Sequence, residues 1–204
     1  YNCRNGEGIP EAAEAERAAA VGAAELLRRH GHAAPVVSVG STPTAHFARD
    51  LRGVTEVRAG VFMFFDLVMS GIGVCTPDHI ALSVLATVIG HKPDKGWILT
   101  DAGWMAMSRD RGTARHPVDQ GYGLVCDIDG VVHPDLIVTD ASQEHGIVSV
   151  RPGSAAALPD LAIGQRIRIL PNHACATGAQ HDRYRVVRSG SREIVATWQR
   201  MRGW

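Results

Sequence analysis

The residues of this 204-residue chain with most to offer chemically are His173 and Cys175, in the run Pro171-Asn172-His173-Ala174-Cys175-Ala176-Thr177. The run follows a strand-like apolar stretch, and in an extended chain the side chains of residues i and i+2 share a face. An imidazole nitrogen and a thiolate sulfur side by side make half of a zinc site. Two ligands are too few for a closed structural site, which takes four. They suit an open site whose coordination is completed by water or substrate. Alone, a His-x-Cys pair is more often a buried small apolar residue beside a satisfied imidazole, so its meaning depends on its surroundings.

Further candidates lie earlier in the chain. Ser41-Thr42 follows one predicted strand and precedes a helix, and Gly60-Val61 follows the next strand. Hydroxyls and free backbone N–H groups at such junctions suit a phosphate, and Gly permits close approach of the backbone. Ordinary strand-to-helix loops have the same composition. Arg58, two residues before Gly60, can meet a cofactor ring or an acidic substrate, or pair with Glu56. Asp101-Ala102-Gly103-Trp104 and Gln143-Glu144-His145-Gly146 are polar clusters at strand ends that line a site or simply make turns. His181 and Asp182 either orient His173 from behind or form a solvated turn.

The elements that position these residues fall into two patterns. Residues 10–30 read as a helix, with Pro10 in the first turn, Glu11 and Glu14 at the positive end, and Arg28 and Arg29 at the negative end. A buried strand over Pro35–Gly40, a loop at Ser41–Thr44, a short helix over Ala45–Leu51 and a strand over Thr55–Arg58 follow. Helix and strand alternating in this way indicate an α/β unit with parallel strands. From about Gly71-Ile72-Gly73 the pattern becomes short strands divided by Gly-, Pro- and Asp-rich turns. These are Ile80–Gly90, Gly96–Thr100, Tyr122–Ile128, Gly146–Val150, Gln165–Leu170, Tyr184–Val187 and Glu193–Trp198. The expected organisation is an α/β part over residues 1–72 and a mostly antiparallel β domain, barrel or sandwich, over residues 73–204. Two parallel strands cannot bury both faces of a sheet, so the pattern implies that something precedes Tyr1.

Composition narrows the function classes. Lys+Arg and Asp+Glu are both 21, so no basic excess argues for nucleic acid or an anionic membrane surface. No apolar run reaches the roughly 20 residues of a membrane span. The cysteines Cys3, Cys75, Cys126 and Cys175 are scattered without a CxxC. That spacing suits a reduced, cytoplasmic protein rather than a disulfide scaffold.

Six segments in order resemble one family. They are Val36–Thr44, Gly53–Asp66, Thr100–Thr113, Gln120–Gly123, Gln143–Gly146 and Pro171–Cys175. The resemblance is to the D-serine dehydratase / D-threonine aldolase family, which shares the fold of alanine racemase. It implies an (α/β)8 barrel followed by a β domain, with pyridoxal 5'-phosphate and a divalent metal as cofactors. His173 and Cys175 match the family's metal pair, in the His-x-Cys form of the zinc-using dehydratase branch; manganese or another divalent ion is the alternative. Ser41, Thr42, Gly60 and Val61 match the cofactor's phosphate loops. Arg58 matches the arginine that faces the pyridine nitrogen, and Tyr1 a tyrosine beside the ring. Phe62 stands where relatives often carry Tyr. The family's Schiff-base lysine belongs to the first barrel strand, and neither Lys92 nor Lys95 stands in that context. The chain therefore resembles the C-terminal portion of such an enzyme and is expected to be inactive in isolation. The implied reaction is elimination of water from a small D-3-hydroxy amino acid, giving a keto acid and ammonia. Retro-aldol cleavage, an inactive fragment or an orphan metal-binding domain are the competing readings, and the metal pair counts against a racemase. A homodimer is implied for the full-length protein.

Overall fold

The computed structural model describes residues 6–201. The first helix, α1 (Ile9–Arg29), has Pro in its first turn, Glu11 near its N-terminus and Arg28 and Arg29 in its last turn, as the macrodipole favours. It packs on α2 (Thr42–Phe47) and on β1 (Ser38–Val39). β1 pairs in parallel with β2 (Glu56–Val57), Ser38 opposite Glu56 and Val39 opposite Val57. The parallel pairing agrees with the expected α/β pattern, but the ladder is shorter than the apolar run from Pro35 suggests. Each strand has only one partner among the described residues, and Val36 and Val57 are left exposed. The described residues do not form an (α/β)8 barrel; they hold this one parallel pair and its helices.

A short helix, α3 (Leu67–Gly71), leads into a closed six-stranded barrel. Its strands are β3 (Val84–Lys92), β4 (Trp97–Thr100), β5 (Gly123–Cys126), β6 (Val132–Ala141), β7 (Gly146–Val150) and β8 (Arg166–Pro171). They close in the order β3-β4-β7-β6-β5-β8, every pairing antiparallel. Alternation fills the interior: Val84, Ala86 and Val88 of β3 are buried, while Leu85 and Ile89 face out. Ile98, Val125, Leu136, Val138, Val148, Ile167 and Ile169 complete the core. A barrel this small is filled by its own side chains, which leaves chemistry to its rims.

Strand β6 is absent from the sequence expectation. Pro134 and two Asp interrupt its apolar pattern, and Asp135 adopts a positive φ of 53°. The kink holds because Asp135 accepts from Arg151 and Ser154 of the neighbouring chain segment. After the barrel strands, α4 (Trp104–Met107) follows β4 and α5 (Ala174–Ala179) follows β8. The chain then forms an antiparallel ribbon of β9 (Arg183–Val187) and β10 (Ile194–Gln199). No helix among the described residues is long and apolar enough to cross a membrane.

Ile98→Ala, which empties a fully buried position of the barrel core, is expected to destabilise the protein by about 2–5 kcal/mol in urea unfolding. Leu85→Ala on the outer face, where the side chain is 56% exposed, is expected to stay within about 0.5 kcal/mol.

Candidate metal and cofactor site

Strand β8 ends at Pro171, and the next residues turn from strand to helix. Asn172 is buried, and its amide donates to the Gly121 carbonyl at 2.5 Å and the Asp110 carbonyl at 3.2 Å. Its own oxygen accepts from the Thr113 hydroxyl at 2.7 Å. His173 is extended (φ −136°, ψ 106°) and is the N-cap of α5. The N–H of Ala174 donates to Asp66 Oδ2 at 2.9 Å, while Asp66 Oδ1 accepts from Met69 N–H at 2.9 Å and caps α3. One buried carboxylate thus joins the starts of two helices. Burial pushes the Asp66 carboxyl above its usual range, and its two backbone hydrogen bonds oppose that rise. The Thr177 hydroxyl donates to the Met107 carbonyl at 2.6 Å and ties α5 to α4.

The His173 ring emerges from this framework 44% exposed, with Nδ1 2.8 Å from Asp110 Oδ2. Its Nε2 makes no hydrogen bond to the described residues. Cys175 is exposed in the first turn of α5. The same-face rule of an extended chain therefore does not apply to this pair. The backbone becomes helical at Ala174, and the strand-to-helix junction sets where the two side chains go. His173 and Cys175 are two donors, and no group of three or more His, Cys, Asp or Glu among the described residues is arranged to hold a metal ion.

His181 and Asp182, the two candidates for orienting His173, take other partners. His181 Nε2 lies 2.9 Å from the Ala106 carbonyl, and Asp182 pairs with Arg183 at 2.8 Å. Asp110 occupies the place behind His173, from 63 residues away, and no local motif announces it. Asp66 and Asn172 were likewise unmarked; only the Asp-Leu-Val-Met start of α3 carries a recognisable cap signal for Asp66.

The two expected phosphate loops lie together. Thr42 is buried, and its hydroxyl accepts from Phe62 N–H at 2.9 Å, stitching one loop to the other. Behind them, Gly40 has φ 124°, and a Cβ there would lie 2.7 Å from the Arg58 carbonyl oxygen, so only glycine lets the two strand ends close. The Ser41–Thr44 stretch is a helix start rather than a free loop. Ser41 caps α2, forming a capping box with Thr44, and its hydroxyl is engaged there. The backbone N–H groups of Thr42, Gly60 and Val61 make no hydrogen bonds to the described residues, and space is open beside Gly60. Arg58 donates to the Ser38 hydroxyl at 2.5 Å, and that hydroxyl donates in turn to Glu56. Tyr1 lies outside the described residues. Lys92 and Lys95 sit at the β3–β4 hairpin, with Lys95 Nζ 4.6 Å from the centre of the Trp97 ring.

The two other polar clusters also meet. Trp104 N–H donates to the Ser142 carbonyl at 2.9 Å and Met105 N–H to the Gln143 carbonyl at 3.1 Å. Gly103 is required there, because a Cβ would fall 2.4 Å from the Ser142 oxygen. With His181 they line an open cleft of about 400 Å³, at the end of α5 opposite His173.

Residues 81–187 match the family described as "Putative serine dehydratase domain". The chain belongs to this family. It is 58% identical over 208 residues to D-threo-3-hydroxyaspartate dehydratase of Delftia sp. (strain HT23), covering 100% of the chain and 54% of that protein. It is 30% identical over 210 residues to D-serine dehydratase of Dictyostelium discoideum, covering 100% of the chain and 52% of that protein. The chain thus spans about half the length of the curated relatives it matches. Two solved structures of D-threo-3-hydroxyaspartate dehydratase variants superpose on it at 57% identity. One, with a histidine replaced by alanine, has a TM-score of 0.92 and shares 100% of this chain and 52% of its own. The other, with a cysteine two positions further along replaced by alanine, is in the metal-free form. Its TM-score is 0.90, over 100% of this chain and 54% of its own. A further structure, of an alanine racemase-like protein from Idiomarina loihiensis, superposes with a TM-score of 0.89 at 50% identity, over 99% of this chain and 53% of its own.

Thiol reactivity offers a check on the junction. Burial pushes Cys126 up to about 11, and burial followed by the Asp66 charge pushes Cys75 up to about 11. The same two causes raise Cys175, whose residue is nonetheless exposed. Iodoacetamide is expected to alkylate Cys175 before Cys75 and Cys126, at a rate that climbs with pH because the thiolate is the nucleophile. Peptide mapping by mass spectrometry reads the order; Cys126 reacting first would contradict the buried barrel position.

Proposed function

We propose that this chain carries the metal ligands and the phosphate loops of a pyridoxal 5'-phosphate- and divalent-metal-dependent lyase that eliminates water from a D-3-hydroxy amino acid. The supporting observation is the pair His173 and Cys175 at the strand-to-helix junction. The two stand two positions apart, as do the histidine and cysteine replaced in the dehydratase variants, and the cysteine-variant structure is of a metal-free form, which marks that relative as a metal-binding protein. The substrate to expect first is D-threo-3-hydroxyaspartate, named by the relative of 58% identity, ahead of D-serine, named by the relative of 30% identity.

The residues present fit both groups. A neutral imidazole nitrogen and a thiolate suit zinc better than a harder ion such as manganese. Two protein donors would leave the rest of the coordination to solvent and a substrate hydroxyl. The free N–H groups of Thr42, Gly60 and Val61 sit on loops tied to each other, an arrangement suited to a phosphate. When bound, pyridoxal phosphate supplies an electron sink for charge at Cα and the metal a Lewis acid for the β-hydroxyl. The chain's own contribution is placement. The joined loops anchor one end of the cofactor, and Arg58 and Ser38 present polar groups from the neighbouring strand ends. The Asp66 and Asn172 framework holds His173 and Cys175 at the barrel rim.

The intact protein, supplied with pyridoxal phosphate and zinc, is expected to release ammonia and a keto acid from D-threo-3-hydroxyaspartate. Turnover of D-serine is expected to be slower. A chelator should abolish turnover, and Cys175→Ala should lower kcat/KM at least ~100-fold while leaving cofactor absorbance unchanged. Activity untouched by the chelator sinks the metal role. Release of glycine and an aldehyde from D-threonine, without ammonia, supports the retro-aldol reading instead.

A further inference from the structure

We propose that Asp110 is a positioning residue for the metal site, holding the His173 ring with its proton on Nδ1 so that Nε2 presents the lone pair to the ion. The inference rests on the metal reading above and assigns to Asp110 a role that acts through the His173 ring.

The geometry separates this contact from an ordinary surface ion pair. Asp110 is held at several points. Its N–H donates to the Ser108 hydroxyl at 3.2 Å, its Oδ1 accepts from Gly112 N–H at 2.7 Å, and its carbonyl accepts from the buried Asn172 amide at 3.2 Å. The remaining oxygen, Oδ2, meets His173 Nδ1 at 2.8 Å. Asn172 and His173 are consecutive, so the two segments are joined twice, once through a backbone carbonyl and once through the ring. An exposed pair held only by its own charges gains little and wanders; here the backbone on both sides is fixed and Asp110 is 30% exposed.

The neighbouring cations are drawn elsewhere. The Arg109 guanidinium lies over the Trp104 ring at 5.1 Å, and that of Arg111 over Tyr122 at 4.9 Å with an ion pair to Asp119 at 2.8 Å. The Asp110 carboxylate is thus left to the imidazole. A carboxylate only accepts hydrogen bonds, so Nδ1 must carry the proton, and the neutral ring then has its lone pair on Nε2. A carboxylate behind a ligating histidine also raises the basicity of the ligating nitrogen.

The test uses the intact protein, stripped of metal, as native and as Asp110→Ala, Asp110→Asn and Asp110→Glu. Long-range proton–nitrogen NMR of the metal-free protein, with the His173 signals assigned by a His173→Gln control, reads the tautomer. The proton is expected on Nδ1 in the native protein and displaced from it in Asp110→Ala. Zinc titration against a competing chelator should show affinity lowered about 10–100-fold in Asp110→Ala and Asp110→Asn, with partial recovery in Asp110→Glu. The near-isosteric Asn variant keeps the test informative if the Ala variant fails to fold. Native-like zinc affinity and an unchanged tautomer in folded Asp110→Ala and Asp110→Asn overturn the proposal, while loss of zinc in Cys175→Ala leaves the site reading intact. Failure of the native protein to bind zinc overturns both.

Discussion

The buried side chain of Asn172 joins the Gly121, Asp110 and Thr113 segments just beyond the end of β8. Its amide has two hydrogens and its oxygen two lone pairs, and three of these sites are used by groups spread along residues 110–121. A buried amide left without partners costs about 1–3 kcal/mol for each group stranded, so the rim loops and the end of β8 are held in one arrangement. His173 follows directly, and its position is inherited from that network. The barrel makes this possible, because closure places β8 between β3 and β5 and delivers Pro171 to the rim beside Gly123.

Asp66 does the corresponding work on the other side. Its carboxylate is buried with a cost in solvation, offset by hydrogen bonds from Met69 and Ala174. Since α3 follows the segment that carries Gly60 and Val61 and α5 carries Cys175, this one group sets His173 and Cys175 relative to the chain that leaves Gly60 and Val61. The Thr42 hydroxyl does the same for the two loops, by a single bond to Phe62. The site is therefore built from short elements whose ends are pinned by buried polar groups. None of these elements has enough length or apolar surface to hold itself in place.

Much of the fold was legible from local pattern. Helix α1 follows from its alanine-rich stretch with Pro and Glu at one end and Arg at the other, and β4, β7, β8, β9 and β10 lie within a residue or so of the apolar runs that predicted them. Strand β6 was not legible, because its Pro134 and Asp135 read as a break. The distant Arg151 and Ser154 that stabilise the kink lie outside any local window. The expected loop at Ser41–Thr44 is instead the start of α2, whose signals are the Ser41 and Thr44 capping box and Pro43 in the first turn.

The sequence by itself determined the donors and their order: His173 and Cys175 two positions apart, the hydroxyl and glycine loops after two strands, and the family those segments belong to. These are properties of residue type and spacing, which survive without coordinates. Tertiary structure alone decided which groups stand behind them. Asp110 reaches His173 across 63 residues and Asp66 reaches Ala174 across 108, through hydrogen bonds that exist only once the barrel has closed. An aspartate in a loop has the same local signature whether it is solvated or holds a ligand. Only the packing around it removes the water that would otherwise be its partner.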